Sequence, residues 1–219
     1  MGRLGLILGS AVRTDDVPNG DWTVIHRHGP EGGYVLPHEI DHAATTRYLV
    51  ELGCDRVLAL SSVGGLIDEL GPGAILCPDD FIALDADIPT SLEGPAAHRV
   101  PGFDPAWRGE VVSALAAAGI DAVDGGTYWQ VRGPRLETPA EVRFIAAHAE
   151  VVGMTVASES VLAAEAGLRY AAICIVDNLA NGVADTELTL LEIERNRDAH
   201  RGTVATMLAA ILPRLAAGS

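Results

Sequence analysis

The chain contains no lysine; each of its 15 basic residues is an arginine. That excludes a Schiff-base mechanism and any phosphate loop built around a lysine. Acidic residues number 30, giving a formal charge of −15 and a pI near 4.7. A surface that follows nucleic-acid phosphates or anionic lipid needs basic patches, so neither partner is expected. An anionic ligand would have to be held in a local pocket. Cysteine is also scarce: Cys54, Cys77 and Cys174 are odd in number, scattered and without a CxxC pair. With no leader-like start, this points to a reducing cytoplasm. No apolar run approaches the roughly 18 residues needed to cross a bilayer, so no membrane partner is expected.

What is present is enough for one sizeable core. With 219 residues and 48% hydrophobic content, a single domain spanning 1–219 is expected. Short apolar runs at 4–9, 22–26, 56–62, 75–78, 81–84, 127–131, 151–154 and 169–176 read as strands. Helical patterns at 38–53, 105–119, 138–149, 158–167 and 188–215 follow or separate them, several opened by proline or closed by glycine. The order predicts an α/β fold, a mostly parallel twisted sheet flanked by helices. The proline-rich segment 85–104 is the longest expected loop.

In such a sheet, ligands gather where strands end and helices begin. Those ends carry Gly9-Ser10, Arg27-His28-Gly29, Ser61-Ser62-Val63-Gly64-Gly65, Gly153-Met154-Thr155 and Asp177-Asn178. Glycines offer open backbone N–H groups, the hydroxyls add O–H donors, and Arg27 adds a fixed charge. Together these suit one phosphate. Each alone also reads as a plain turn or a solvated charge.

Two stretches, GGTYWQVRGPRLETPAEVRF (125–144) and VVGMTVASESVLAAEAGLRYAAICIVDN (151–178), resemble the trimeric purine nucleoside phosphorylase and methylthioadenosine phosphorylase family, with weaker likeness at RHG, at the Pro37 helix and at SSVGGL. The resemblance implies a nucleoside phosphorylase-like fold and phosphorolysis, in which inorganic phosphate attacks C1′ of a purine nucleoside and releases the base. It implies no cofactor beyond phosphate as co-substrate, no metal, and a homotrimer or dimer of trimers with sites near subunit interfaces. On the 6-oxopurine branch of the family, the Glu of GPxxET meets the purine N1–H and an Asn ending the last strand meets N7 and O6. The matching residues are Glu137 and Asn178, with Asp177 beside Asn178 as a competing base contact. A carboxylate only accepts hydrogen bonds, so it suits hypoxanthine or guanine and repels the bare N1 of adenine. By the same resemblance, Ser10, Arg27, His28, the Ser62 backbone and Thr155 hold phosphate, while Met154 lies against the sugar. His98 reaches a neighbouring subunit's sugar pocket. Leu190 and Ile193 stand where ordinary nucleoside enzymes place a His for the 5′-hydroxyl, which favours 5′-methylthioinosine or another 5′-deoxy nucleoside.

The chain departs from the family in places. The first loop is Leu8-Gly9-Ser10-Ala11 rather than Gly-Gly-Ser/Thr-Gly, PEGGYVL (30–36) does not align cleanly, and Ser158 replaces a proline although Glu159 remains. These put phosphate affinity in question more than base identity. Other readings stay open: an adenine-specific methylthioadenosine phosphorylase, a purine binder without turnover, and a zinc peptidase at HEIDH (38–42), which fits H-E-x-x-H. His26 and His28 flank Arg27 on a strand, so alternation should send both to the face opposite Arg27. Glu137 also has a structural reading, a carboxylate at a helix N-terminus. Cys174 reads as buried packing.

Overall fold

The computed structural model describes residues 2–29, 33–84, 86–184 and 188–217. Nine strands form one sheet: β1 (Arg3–Leu8), β2 (Trp22–His26), β3 (Cys54–Gly65), β4 (Ile75–Cys77), β5 (Asp80–Ile82), β6 (Val123–Asp124), β7 (Thr127–Gln130), β8 (Val151–Gly153) and β9 (Arg169–Leu179). The main path runs β5-β7-β8-β3-β9-β4-β6, with β1 added to β3 and β2 to β1. Most pairings are parallel, but β3 meets β8 and β9 meets β4 antiparallel, so the sheet is mixed.

The 12-residue β3 organises the rest. On one side it pairs with β9 along its length. On the other, β1 accompanies it only as far as Leu60, and β8 takes over at Gly64. Residues 61–63 therefore have no strand beside them on that side, and the sheet opens there. This gap is the crevice at strand ends that α/β sheets use for ligands.

Helices cover both faces: α1 (His42–Glu51), α2 (Pro105–Ala117), α3 (Pro139–Ile145), α4 (Val156–Glu165) and α5 (Leu190–Ala217). On one face Trp107 and Val111 of α2 pack with Leu208, Ile211 and Leu212 of α5 against Leu6, Leu58 and Ile173. On the other, Leu49, Val156 and Ala163 pack on Val57, Ala172 and Cys174. β9, apolar from Tyr170 to Val176 and buried throughout, is covered on both faces as its composition requires.

The expected helix at 38–53 begins only at His42. The Asp41 side chain accepts the Ala44 N–H at 2.7 Å and acts as N-cap, while Pro37–Glu39 is a separate 3₁₀ turn. His38 and His42 are thus not one turn apart on a helix, which removes the geometry HEIDH would need to hold zinc. Among the described residues no cluster of three potential ligands exists. The short β6 was not foreseen. No helix of the described residues is long and apolar enough to cross a membrane.

Candidate active site

A cleft of about 510 Å³ occupies the opening beside β3. Ser10, Arg27, His28, Ser62 and Thr155 line one part of it; Glu137, Met154 and Asn178 line another; Leu188, Leu190 and Ile193 complete it. A larger cavity of about 690 Å³ lies across the 133–137 loop, walled by Trp129, Val131 and Phe144. It shares Glu137 but has none of the strand-end hydroxyls, so the smaller cleft is the candidate site.

The approach of the first loop is close. A methyl group on Gly9 would meet Arg27 Nη1 and the Leu60 carbonyl, so only glycine fits where β1 ends. The Arg27 guanidinium is buried and clamped: Nε and Nη2 donate to the two oxygens of Glu159 at 2.5 and 3.0 Å, and Nη1 donates to Leu60 O at 3.1 Å. Tyr170 OH adds a bond to Glu159 at 2.7 Å, and His42 Nδ1 lies 3.8 Å from it. Burial disfavours charge on both members of the pair, but their mutual attraction outweighs it, holding the Glu159 carboxyl below its usual pKa and raising that of Arg27. Burial pushes the His42 imidazole down.

Arg27 and His28 both line the cleft, contrary to the expected alternation. The reason is that β2 stops at His26, and a turn follows. His26 instead pairs with Thr14 Oγ1 at 2.8 Å. His28 Nδ1 lies 2.9 Å from Val35 O, and its ring stacks on Tyr34 with centroids 4.7 Å apart. Burial lowers the His28 pKa, only partly opposed by the Val35 carbonyl. In the neutral ring that bond puts the proton on Nδ1 and leaves Nε2 an acceptor.

Thr155 heads α4 without a side-chain capping bond. The first-turn donors of this helix are already used: Thr155 N–H bonds Tyr128 OH at 3.2 Å, and Ala157 and Ser158 N–H bond Gln130 Oε1 at 2.8 and 3.1 Å. Gln130 Nε2 in turn donates to Ser158 Oγ at 2.7 Å, so the serine that stands for the family's proline is built into this brace.

At the end of the cleft beside Glu137, α3 is capped by Thr138 and Glu141, whose side chains bond each other's backbone N–H at 3.3 and 2.8 Å. Glu137 is therefore not needed as the helix-capping acid, and it is buried in the cleft wall. Gly133, at φ +66°, lets the loop lie on Met154, where any Cβ would strike the sulfur.

Asp177 does not face the cleft as expected. The β3–β9 register shifts so that Val63 pairs with Val176 but Gly64 pairs with Asn178, leaving Asp177 as the extra residue of a bulge. Its buried carboxylate accepts from Ser62 Oγ and from Arg197 Nε at 2.5 Å, while Asn196 Nδ2 donates to its carbonyl at 2.8 Å. Asn178 takes the cleft position, with Nδ2 bonded to Leu179 O at 2.8 Å. His98 is exposed and does not line the cleft. His200 also stays out, packed near Gly73. Cys174 is fully buried, and burial pushes its thiol pKa up, as for packing rather than reactivity.

Sequence reasoning missed Glu194 and Arg197 in the cleft wall. With Leu190 and Ile193 they form one face of α5 at 190, 193, 194 and 197, a helical spacing hidden among charges on every side.

The sequence model of the phosphorylase superfamily matches residues 12–213. The chain belongs to the phosphorylase superfamily. Among curated superfamily members, a "Probable 6-oxopurine nucleoside phosphorylase" of Archaeoglobus fulgidus is 38% identical over 174 residues, 79% of this chain and 71% of that protein. A "Probable S-methyl-5'-thioinosine phosphorylase" of Xanthomonas campestris is 37% identical over 205 residues, 90% of this chain and 78% of that one. Among solved superfamily structures, methylthioadenosine phosphorylase from Schistosoma mansoni in complex with adenine superposes with a TM-score of 0.86 at 21% identity, covering 100% of this chain and 93% of its own. That likeness speaks for the fold. This superfamily member is thus a phosphorylase of the purine nucleoside type, with a mixed sheet flanked by helices.

Proposed function

We propose that the enzyme cleaves 6-oxopurine nucleosides with inorganic phosphate, giving the free base and a pentose 1-phosphate. The observation that carries this reading is the meeting of Glu137 and Asn178 in one cleft whose other end holds Ser10, His28 and Thr155. Glu137 accepts the N1–H of hypoxanthine or guanine, a proton adenine lacks. Asn178 donates toward N7 as negative charge builds on the departing base, the kind of aimed donor worth about 10²–10³ in rate. Phosphate is held below C1′ by the hydroxyls and by the open backbone of residues 61–63, which is chiefly a positioning effect. No covalent intermediate is needed. Neutral His28 offers an acceptor to a protonated phosphate oxygen or a sugar hydroxyl.

Leu188, Leu190 and Ile193 give the cleft an apolar end. A 5′-methylthio group is accommodated there, and a 5′-hydroxyl would lack a partner from these three side chains, so 5′-methylthioinosine is the favoured substrate. A homotrimer with His98 lent across the interface, a cytoplasmic location and a role in purine salvage complete the proposal.

The test is release of base from inosine, guanosine, adenosine, methylthioadenosine and methylthioinosine, with and without phosphate. Turnover confined to 6-oxopurines and dependent on phosphate is expected, with methylthioinosine fastest. Release of adenine at comparable rates would overturn the roles given to Glu137 and Asn178.

A further inference from the structure

The half of α5 that lines the cleft is fastened differently from the half that fills the core. Of residues 190–203 only Ile193 is buried, whereas from Val204 onward Met207, Leu208, Ile211 and Leu212 pack into the core. Leu190 and Ile193, the apolar wall assigned to the 5′ group, belong to the first half. With so little apolar burial, that half depends on its polar ties for a defined position. Two consecutive residues are tied to a single residue of β9.

That residue is Asp177, 2% exposed. Its Oδ2 accepts from Arg197 Nε at 2.5 Å and from Ser62 Oγ, and the same Ser62 Oγ accepts from Arg197 Nη2 at 3.1 Å. Carboxylate, guanidinium and hydroxyl close a triangle that joins α5 to β9 and β3 together. The Asp177 carbonyl also accepts from Asn196 Nδ2 at 2.8 Å. Arg197 stands one turn beyond Ile193 and about two beyond Leu190, on the face of α5 that lines the cleft. Any roll or slide of the helix that moved the two apolar side chains would have to break this charge-assisted pair, whose geometry is directional. One turn further on, Arg201 Nε meets Asp16 Oδ1 at 2.7 Å, but that tie runs to the 3₁₀ turn at Thr14–Asp16, and Arg201 does not line the cleft.

We propose that Asp177 is a positioning residue for 5′ selectivity: through Arg197 it holds Leu190 and Ile193 where they favour an apolar 5′-thioether over a 5′-hydroxyl, and it does so without touching the nucleoside. This rests on the phosphorolysis reading.

Asp177→Asn keeps the shape of the side chain and removes its charge. The experiment takes the full chain and compares kcat/KM for 5′-methylthioinosine and inosine at saturating phosphate, the dissociation constants of the same two nucleosides by calorimetry without phosphate, and hydrogen exchange along α5. In Asp177→Asn the methylthioinosine-to-inosine ratio should fall at least fivefold in both kcat/KM and affinity. Amides of 194–201 should exchange at least tenfold faster, while those of 204–212 keep their protection. Arg197→Gln should reproduce these changes, and the double variant Asp177→Asn/Arg197→Gln should be no worse than either single one, as for two members of one interacting unit. Arg197→Lys should restore part of the ratio. Arg201→Gln, which loosens the same helix elsewhere, should leave the ratio within twofold of the wild type. An unchanged ratio in Asp177→Asn, equal losses on both nucleosides, additive effects in the double variant, the same fall in Arg201→Gln, or a wild type that does not prefer methylthioinosine would each overturn the assignment. If the wild type bound both nucleosides and released base from neither, phosphorolysis would fall, and the affinity ratio and exchange would still decide the role of Asp177.

Discussion

Glu159 receives three short contacts in a fully buried place, from Arg27 Nε, Arg27 Nη2 and Tyr170 OH. Removing its charge leaves the Arg27 guanidinium buried and unpaired, a loss on the order of 3–5 kcal/mol for such sites. Glu159→Gln should accordingly lower the melting temperature by many degrees, measured by calorimetry near neutral pH. The pH dependence has a definite sign. Because the folded-state pKa of Glu159 lies below its ordinary value near 4.5, the ion pair contributes fully above that value and is lost as pH falls through the folded-state pKa. The destabilisation caused by the variant should therefore shrink in acid, and a gap that stayed constant down to that range would contradict the pair's role. Asn178 and Asp177 teach a related lesson. They are adjacent in sequence; Asn178 lines the cleft while Asp177 pairs with Arg197 of α5, and the register of β9 against β3 shifts at this point, between Val63 and Gly64. Nothing in the run ICIVDN announces that shift.

At the scale of elements, the proposed phosphate site would have β1 and its terminal turn set how near the anion comes to the backbone. Gly9→Ala places a methyl against Arg27 Nη1 and Leu60 O. Overpacking of this kind costs about 1–3 kcal/mol. The variant should melt earlier and show a raised phosphate KM while discriminating between bases as before, measured by thermal melting and by kinetics on two purines. A variant with unchanged phosphate KM would mean that the first loop does not shape that end. Much of this arrangement was legible beforehand. Strand ends bearing Ser10, Ser62, Thr155 and Asn178 were marked by apolar runs that stop at a small or polar residue. The end of β2 was less readable, since WTVIHRH continues with no breaker until Gly29, and the register of His28 relative to Arg27 was misjudged for that reason. The inward face of α5 was partly hidden, because ERNRDAHR carries charge around the whole helix and its phase depends on where the helix starts. Leu190 and Ile193 stood out as apolar; Arg197 did not.

At the scale of the molecule, several apolar side chains remain in water: Leu84 at 82% exposure, Val100 at 98% and Phe144 at 62%. Exposed apolar surface is commonly covered by a partner. The proposed trimer predicts a solution mass by light scattering near three times the 22.9 kDa of one chain. A monomer with full activity would remove His98 from any shared site. The strong negative charge does not oppose assembly at physiological salt, where surface charges more than about 8 Å apart are largely screened.

Ser62, at the proposed phosphate end, and Gly64, paired with Asn178 at the proposed base end, are two residues apart on the same strand. The two halves of the reaction are thus measured against a single ruler that cannot stretch, and the gap between attacking oxygen and departing nitrogen is set by the pleat itself. Variation in substrate size has to be absorbed where there is no such ruler, along the α5 side of the cleft. Evolution of a new 5′ preference would therefore rewrite the helix and leave the strand untouched.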